Sequence, residues 1–239
     1  DISEFGILRG TMALRLKVKD RRIAEVEMIV VRQQLRPKGG LGLNTAGIMT
    51  PKMIDELSPA GFVSPDSTLL EPVPAAERAT REELIATTGR YFEAFAQSKS
   101  SVAPFADSCS RRENGIVATN NSDGPVVDPA QSAFRVFSGS CAQEIDRGFF
   151  SALSKVGDRR PLVVDVDQGL VLDLAFFDNE GNMKSVSVSG VGDVKVPAEF
   201  LRPITYIEPQ LFKIEAGKIR EIEGLSWPMP YGMRSGWDK

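Results

Sequence analysis

The densest group of side chains capable of chemistry lies between Asp107 and Gly115. It combines two acids, a thiol, two guanidinium groups and an amide, in the order Asp107-Ser-Cys109-Ser-Arg111-Arg112-Glu113-Asn114-Gly115. A buried carboxyl group beside an arginine can exchange a proton near neutral pH, because burial raises its pKa and the arginine lowers it again. The segment therefore predicts acid–base chemistry.

The lack of histidine narrows that chemistry. None of the 239 residues is histidine, and only two are cysteines. This composition excludes a Ser-His-Asp triad, a Cys-His pair, histidine-ligated zinc and a structural zinc site, so no metal site is expected. Proton transfer must use a carboxyl group, a tyrosine, a lysine or a thiol.

The bulk composition predicts neither nucleic acid nor a membrane as a partner. The formal net charge is −3, from 29 basic and 32 acidic residues, so nothing draws the chain as a whole to phosphate. No apolar run in the sequence is long enough to cross a bilayer. An apolar content of 42% is sufficient for a core.

The two cysteines, Cys109 and Cys141, leave two alternatives open. A disulfide would close a loop of 32 residues, which is worth about 3–4 kcal/mol in the chain-entropy model. It would fit a secreted or periplasmic protein, whereas two buried free thiols would fit a cytoplasmic one. The compartment is therefore unknown from the sequence.

A long helix is predicted from Thr80 to Gln97. Thr80 and Glu83 have the spacing of a capping box, and the apolar side chains that follow lie on one helical face. Tyr91 is on that face, where its hydroxyl group could point into a cavity or lie at the edge of the core. Shorter helical segments are expected at Val102–Asp107 and Cys141–Ser154.

Strands dominate from Arg160 onward. Apolar runs and turn residues predict strands over residues 161–166, 170–177, 184–188, 204–214 and 218–227. In the second of these, alternation places Asp173 on the same face as Val171, Ala175 and Phe177. That face could line a pocket, or it could be the outer face with a solvated Asp173.

An internal similarity suggests how the chain is divided. Residues 17–27 align without gaps to residues 213–223, with four identities and two conservative replacements. We therefore expect residues 1–36 to contain the terminal hairpin of an incomplete preceding unit, residues 37–76 to be a linker and residues 77–239 to form a complete domain. Chance similarity between two amphipathic hairpins is the alternative.

Helices followed by long antiparallel strands predict an α+β domain. With its terminal hairpin, residues 77–239 resemble the nuclear transport factor 2-like, or SnoaL-like, superfamily, and within it a tandem fungal and bacterial branch. The resemblance rests on an ordered set of motifs: Tyr91-Phe92, Pro104-Phe-Ala-Asp-x-Cys109, Arg112-Glu-Asn-Gly115, Cys141, Arg159-Arg160, Val164-Asp165, Gly169-Leu-Val171 and Pro230-Tyr-Gly-Met with Ser-Gly-Trp237.

This resemblance implies a cone of curved sheet and helices around an apolar pocket, no cofactor, and a homo-oligomer. It also implies a lyase, dehydratase, isomerase or hydrolase that acts by acid–base chemistry on a small apolar, aromatic or cyclic molecule. Arg112 would stabilise an oxyanion, Asp165 or Asp173 would move the proton, and Tyr91 would orient the substrate. The further substrate-binding candidates are Asn114, Glu113, Asp107, Phe177, Trp227 and Tyr231.

Two points stay open at this stage. Strand alternation places Arg112 and Asn114 on one face of their segment and Arg111 and Glu113 on the other, so only one pair can face inward. We expect Arg112 and Asn114 to line the pocket. The alternative is a structural ion pair between arginine and glutamate. The fold could instead serve as a non-catalytic binding or assembly module, or as a structural tandem unit. A binding module would have all its inward polar groups paired to one another.

Overall fold

The computed structural model describes residues 10–32, 67–122, 135–153, 155–196 and 198–236. Most of the predicted linker and Trp237 lie outside these residues. The described part is α+β and mostly strand, with a curved open sheet. Its helices are α1 (Ser67–Leu70), α2 (Arg81–Gln97) and α3 (Cys141–Asp146), with 3₁₀ turns at Ala75–Glu77, Ser100–Val102, Phe149–Ala152 and Ala198–Phe200.

The described strands are β1 (Gly10–Lys19), β2 (Arg22–Arg32), β3 (Phe105–Glu113), β4 (Ile116–Val117), β5 (Lys155–Asp165), β6 (Leu170–Asn179), β7 (Ser185–Val188), β8 (Gly192–Lys195), β9 (Ile204–Glu215), β10 (Lys218–Gly224) and β11 (Trp227–Met229). Seven of them form the main sheet in the order β4-β3-β10-β9-β6-β5, with β11 also paired to β9. The β3–β10 ladder is parallel, and the other ladders of this sheet are antiparallel.

Helix α2 packs its apolar face against the sheet. Its capping box is present, because Thr80 Oγ1 accepts a hydrogen bond from the Glu83 amide while the Glu83 carboxylate accepts one from the Thr80 amide. The rings of Tyr91 and Phe92 lie with their centroids 5.0 and 5.8 Å from that of Phe212 on β9. The core is therefore the layer between α2 and this face of the sheet, which we call the inner face.

Two helix predictions need correction. Val102–Asp107 is not helical, because a 3₁₀ turn ends at Val102 and strand β3 begins at Phe105, where it pairs with β10. The helix predicted over 141–154 ends at Asp146, since Gly148 has a φ of +75° and only a 3₁₀ turn follows. Tertiary pairing overrides local helical preference in the first case.

The predicted strands are present, with one division. The pattern expected for 218–227 is split into β10 and β11, and these pair with successive halves of β9. Ser226 falls at the break. No helix in the described part of the chain is long and apolar enough to cross a membrane.

The two similar segments form hairpins of the same register. Lys17 pairs with Glu25 in β1–β2 as Lys213 pairs with Glu221 in β9–β10, and both ladders carry a register shift beside that pair. Each turn has two central residues with positive φ, Asp20-Arg21 and Ala216-Gly217, which is the conformation of a type I′ turn. The similarity between the segments therefore extends to their backbone geometry.

Candidate functional site

A group of buried polar side chains lies on the inner face of the sheet, beneath α2. We call it the Glu208 cluster, and its members are Tyr91, Arg111, Glu113, Glu208, Gln210 and Ser226. Four of these side chains come from strands, one from α2 and one from the break between β10 and β11. The cluster places polar groups within the hydrophobic core.

Strand alternation in β9 places two cluster members inward. Tyr206 and Phe212 belong to the hydrophobic core, and Glu208 and Gln210 lie between them on the same face. Glu208 therefore enters the core because its strand register requires it.

A disulfide fixes the orientation of β3. Cys109 is bonded to Cys141 at the start of α3, so of the two alternatives left open by the sequence the disulfide is confirmed and the free thiols are wrong. Arg111 and Glu113 follow Cys109 at intervals of two and therefore share its inward face. The two side chains form a largely buried ion pair with each other through Arg111 Nη2 and Glu113 Oε2.

Glu208 has neutral hydrogen-bond partners. Gln210 Nε2 donates to Glu208 Oε2 at 2.8 Å, and Ser226 Oγ donates to Oε1 at 3.0 Å. No arginine or lysine of the described residues lies within ion-pair distance of it. Burial, followed by the negative charge of Glu113, raises the pKa of Glu208 to about 8.

Three buried polar atoms of the cluster are unsatisfied. Within the described residues, Tyr91 Oη, Arg111 Nε and Gln210 Oε1 make no well-formed hydrogen bond, although the Arg111 guanidinium group lies near the Tyr91 hydroxyl group. Burial raises the pKa of Tyr91 to about 12, although the charge of Arg111 acts in the opposite direction. Unsatisfied buried groups are costly and uncommon, so they are candidates for ligand contacts.

A second buried acid, Glu144, has a structural role. Its carboxylate accepts hydrogen bonds from the Gly139 amide at 2.6 Å and the Phe137 amide at 3.2 Å, and it pairs with Arg147 at 2.9 Å. Burial raises the pKa of Glu144, although these bonds oppose the shift. It therefore ties α3 to the preceding loop.

Asp173 lies on the inner face, as one of the two alternatives predicted, and the solvated alternative is wrong. It is fully buried and opposite Gln210 in the β6–β9 ladder. Thr88 Oγ1 and Arg159 Nε donate to Asp173 Oδ2 at 2.8 and 2.7 Å. Burial raises the pKa of Asp173, opposed by Arg159.

The expected inward pair, Arg112 and Asn114, is not arranged as predicted. Arg112 points away from the core, with 40% of its side chain exposed, and its Nε lies 3.4 Å from Glu223 Oε1. Asn114 is buried in a turn at a φ of +50° and exchanges hydrogen bonds with the backbone of Ser226. The prediction for Arg112 is wrong because the disulfide turns Arg111 inward instead.

Asp165 is far from the other predicted site residues. It is exposed at the end of the edge strand β5, and its Oδ1 accepts a hydrogen bond from the Gln168 amide at 3.0 Å. Three strands separate β5 from β3, so Asp165 cannot orient Arg112.

The remaining candidates are scattered. Phe177 is buried in the core, Asp107 is exposed on β3, Trp227 is half-buried on β11, and Tyr231 is exposed. Of these, Phe177 contacts Phe92 and Phe95 on α2, with ring centroids 6.0 and 5.7 Å apart. The structure therefore brings Tyr91, Glu113, Asp173 and Phe177 to the inner face, but not Asp107.

Sequence reasoning missed Glu208, Gln210 and Ser226. A usable signal was present, because alternation across Tyr206, Glu208, Gln210 and Phe212 places the two polar residues on the face of two aromatic ones. The same reasoning had identified Asp173. Ser226 carried no such signal, because its position depends on the break between β10 and β11.

The arrangement can transfer a proton in a dry, aromatic environment. A carboxyl group whose pKa is close to neutrality can both donate and accept a proton, and a buried arginine and tyrosine can stabilise negative charge nearby. Within the described residues, no group of three or more acids or cysteines is arranged to hold a metal ion.

A family model described as a domain of unknown function, DUF8021, matches residues 77–226. No curated protein matches the chain.

Proposed function

We propose that this chain, which belongs to the DUF8021 family, is a cofactor-independent enzyme that uses Glu208 for acid–base chemistry. Its substrate would be a small, largely apolar, aromatic or cyclic molecule. The expected lyase, dehydratase or isomerase activity is kept, but Glu208 takes the role assigned to Asp165 or Asp173, and Arg111 that of Arg112.

The carrying observation is that Glu208 is a buried acid with neutral partners. Glu113, Glu144 and Asp173 each have an arginine, whereas Glu208 accepts hydrogen bonds from Gln210 and Ser226. A carboxyl group in such surroundings changes its protonation state near neutral pH. An acid of purely structural value is normally paired.

The roles follow from the positions of the groups. The Glu208 carboxylate would remove a proton from a carbon next to a carbonyl group, and the electron pair would move onto the carbonyl oxygen. Tyr91 and Arg111 would stabilise that oxyanion. Glu208 would then return the proton to another carbon, which gives isomerisation, or to a leaving group, which gives elimination.

We also infer that the domain is a nuclear transport factor 2-like cone. Three features support this inference: α2 lies across one face of a curved sheet, polar groups gather on that face, and the hairpin β9–β10 contributes apolar side chains to the core beneath the helix. The aromatic rings of Phe92, Phe177 and Phe212 would form the walls against a flat substrate.

A non-catalytic binding module has support of its own. Three of the four buried acids on or near the inner face are paired with arginines, which is what that alternative predicts for inward polar groups. Binding without turnover would then use the unsatisfied atoms of Tyr91, Arg111 and Gln210 as ligand contacts.

The test is exchange of carbon-bound protons in D₂O, followed by NMR, with a panel of cyclic and aryl ketones. We expect the protein to accelerate exchange for part of the panel and Glu208→Gln to lower that rate by about 10²–10⁴. Glu82→Gln, on the exposed side of α2, is the matched control and should retain full activity.

A binding module gives a different result. Ketones that raise the unfolding temperature equally in the wild type and in Glu208→Gln, without any proton exchange, would contradict the enzyme and favour binding alone. Loss of exchange in Glu82→Gln as well would show that the effect is not specific to Glu208.

A further inference from the structure

The hairpin β1–β2 exposes its apolar face, which an ordinary amphipathic hairpin on a domain surface would bury. Part of its charged face is covered: Glu27 contacts Arg160 on β5, and Arg15 pairs with Glu25 at 3.0 Å, with 12–25% of each of these side chains exposed, whereas Lys17 on the same face is 53% exposed. The apolar face points outward. A surface hairpin would normally bury its apolar face and expose its charges.

The outward face carries a continuous group of apolar side chains along most of the hairpin. It consists of cross-strand pairs in the β1–β2 register, and we call it the hairpin face. Its exposed members, each 45–64% accessible, are Met12, Leu14, Leu16, Val18, Ile23, Val26 and Met28. Contiguous apolar surface of this kind marks an interaction site more often than an accident of composition.

The corresponding face of the hairpin β9–β10 is buried in the core. By the shared register, Leu16, Val18, Ile23 and Val26 correspond to Phe212, Ile214, Ile219 and Ile222. The latter four are 0–2% exposed and form the core beneath α2. The hairpin face therefore has the composition and geometry of a core face.

The described helices cannot cover it. Helix α2 already packs on β9–β10, and α1 and α3 have four and six residues. An identical hairpin face on another molecule is available, carries no charge that would repel its copy, and can pair with it about a two-fold axis.

We propose that the hairpin face is the dimer interface of this chain, with a second copy as its occupant. Covering the seven side chains removes on the order of 600 Å² from each copy, and the total of about 1,200 Å² is at the lower limit for specific interfaces. Two hairpins packed face to face then form a small sandwich with the apolar residues inside.

The test is the solution mass of the 239-residue chain, by light scattering on a sizing column at graded concentrations. We expect twice the chain mass for the wild type and a single chain mass for Leu16→Glu/Val26→Glu, with the dissociation constant raised at least 100-fold. The substituted residues are directly opposite in the register and exposed in one copy, so the fold should survive, as circular dichroism would verify.

The matched control is Leu70→Glu/Val191→Glu, which places two acids at other exposed apolar positions. It should remain dimeric. A monomeric wild type at every concentration overturns the proposal and leaves the face for an amphipathic helix of a preceding unit. A dimer that survives Leu16→Glu/Val26→Glu, or is lost in the control, also overturns it.

Discussion

Asp173 and Glu208 are buried acids on neighbouring strands of one sheet face, and their surroundings are opposite. Asp173 pairs with Arg159 and accepts a hydrogen bond from Thr88, whereas Glu208 accepts hydrogen bonds from a serine and a glutamine. Burial raises the pKa of both. The two differ in their direct partners: Asp173 pairs with an arginine, whereas the charges of Glu113 and Arg111 act on Glu208 without a direct ion pair.

This difference separates two uses of a buried carboxyl group. A paired acid contributes to a fixed structure, and removing its partner leaves an uncompensated charge in the core. An acid with neutral partners is free to take up or release a proton. The inner face therefore contains an ion-paired acid, Asp173, and the acid to which we assign the proposed proton transfer, Glu208, two positions apart along the β6–β9 ladder.

The largest effect is expected from Arg159→Met, which removes the cation that pairs with Asp173. We expect the free energy of unfolding to fall by about 4 kcal/mol, because Asp173 keeps its burial and loses its cation. Urea unfolding at pH 7 measures the change. Arg159→Met/Asp173→Leu should recover most of the loss, and Arg202→Met, at an exposed arginine, is the matched control. Equal costs for Arg159→Met and Arg202→Met would contradict a structural ion pair.

The Cys109–Cys141 disulfide should affect the Glu208 cluster more than Asp173, because Cys109 lies on β3, the strand that carries Arg111 and Glu113. Cys109→Ser/Cys141→Ser should lower the free energy of unfolding by about 3 kcal/mol, since the unfolded chain regains the freedom of a 32-residue loop. Chemical shifts of Arg111 and Glu113 should move while those of Arg159 stay in place. Larger shifts at Arg159 would show that the tether does not act locally.

The pH dependence of stability distinguishes Glu208 directly. Its pKa is about 8 in the folded protein and 4.5 ordinarily, so between these values the folded state holds a proton that the unfolded state has released. The free energy of unfolding should therefore fall as pH rises from 4.5 toward 8 and then level off.

Glu208→Gln should flatten that slope, whereas Glu82→Gln should keep it. Asp173 and Glu144 contribute slopes of the same sign because their pKa values are also raised, so the relevant quantity is the difference between wild type and variant. If the slope of the free energy of unfolding against pH is the same in Glu208→Gln as in the wild type, a group other than Glu208 takes up the proton.

The smallest effect is expected at Arg112. Arg112→Ala removes a half-exposed pair with Glu223, so stability should change by less than about 1 kcal/mol and proton exchange should not change. Arg111→Met, one residue earlier, should abolish exchange. Comparable losses in both variants would restore Arg112 to the site.

The elements were more predictable than the site. Period-2 alternation and a capping box are local, and they correctly located α2, β6 and β9. Strand β3 escaped prediction because its partner, β10, lies far along the chain. Local preference cannot reveal a strand that exists through distant pairing.

The prediction of the site was wrong about which face of β3 points inward. Alternation grouped Arg111 with Glu113 and Arg112 with Asn114, but it could not say which group faced inward. Treating Cys109 as bonded would have decided the matter, because Arg111 shares its face with that buried cysteine. The deciding constraint was covalent.

The parallel ladder between β3 and β10 has a consequence for the order of synthesis. The ribosome releases β3 roughly a hundred residues, and α3 roughly seventy residues, before β10, so β3 must wait for its neighbour with one edge unprotected. Cys109 and Cys141 are both available in that interval. In an oxidising compartment the disulfide can hold β3 against α3 until β10 arrives, and without it the nascent chain would expose a strand edge to other chains.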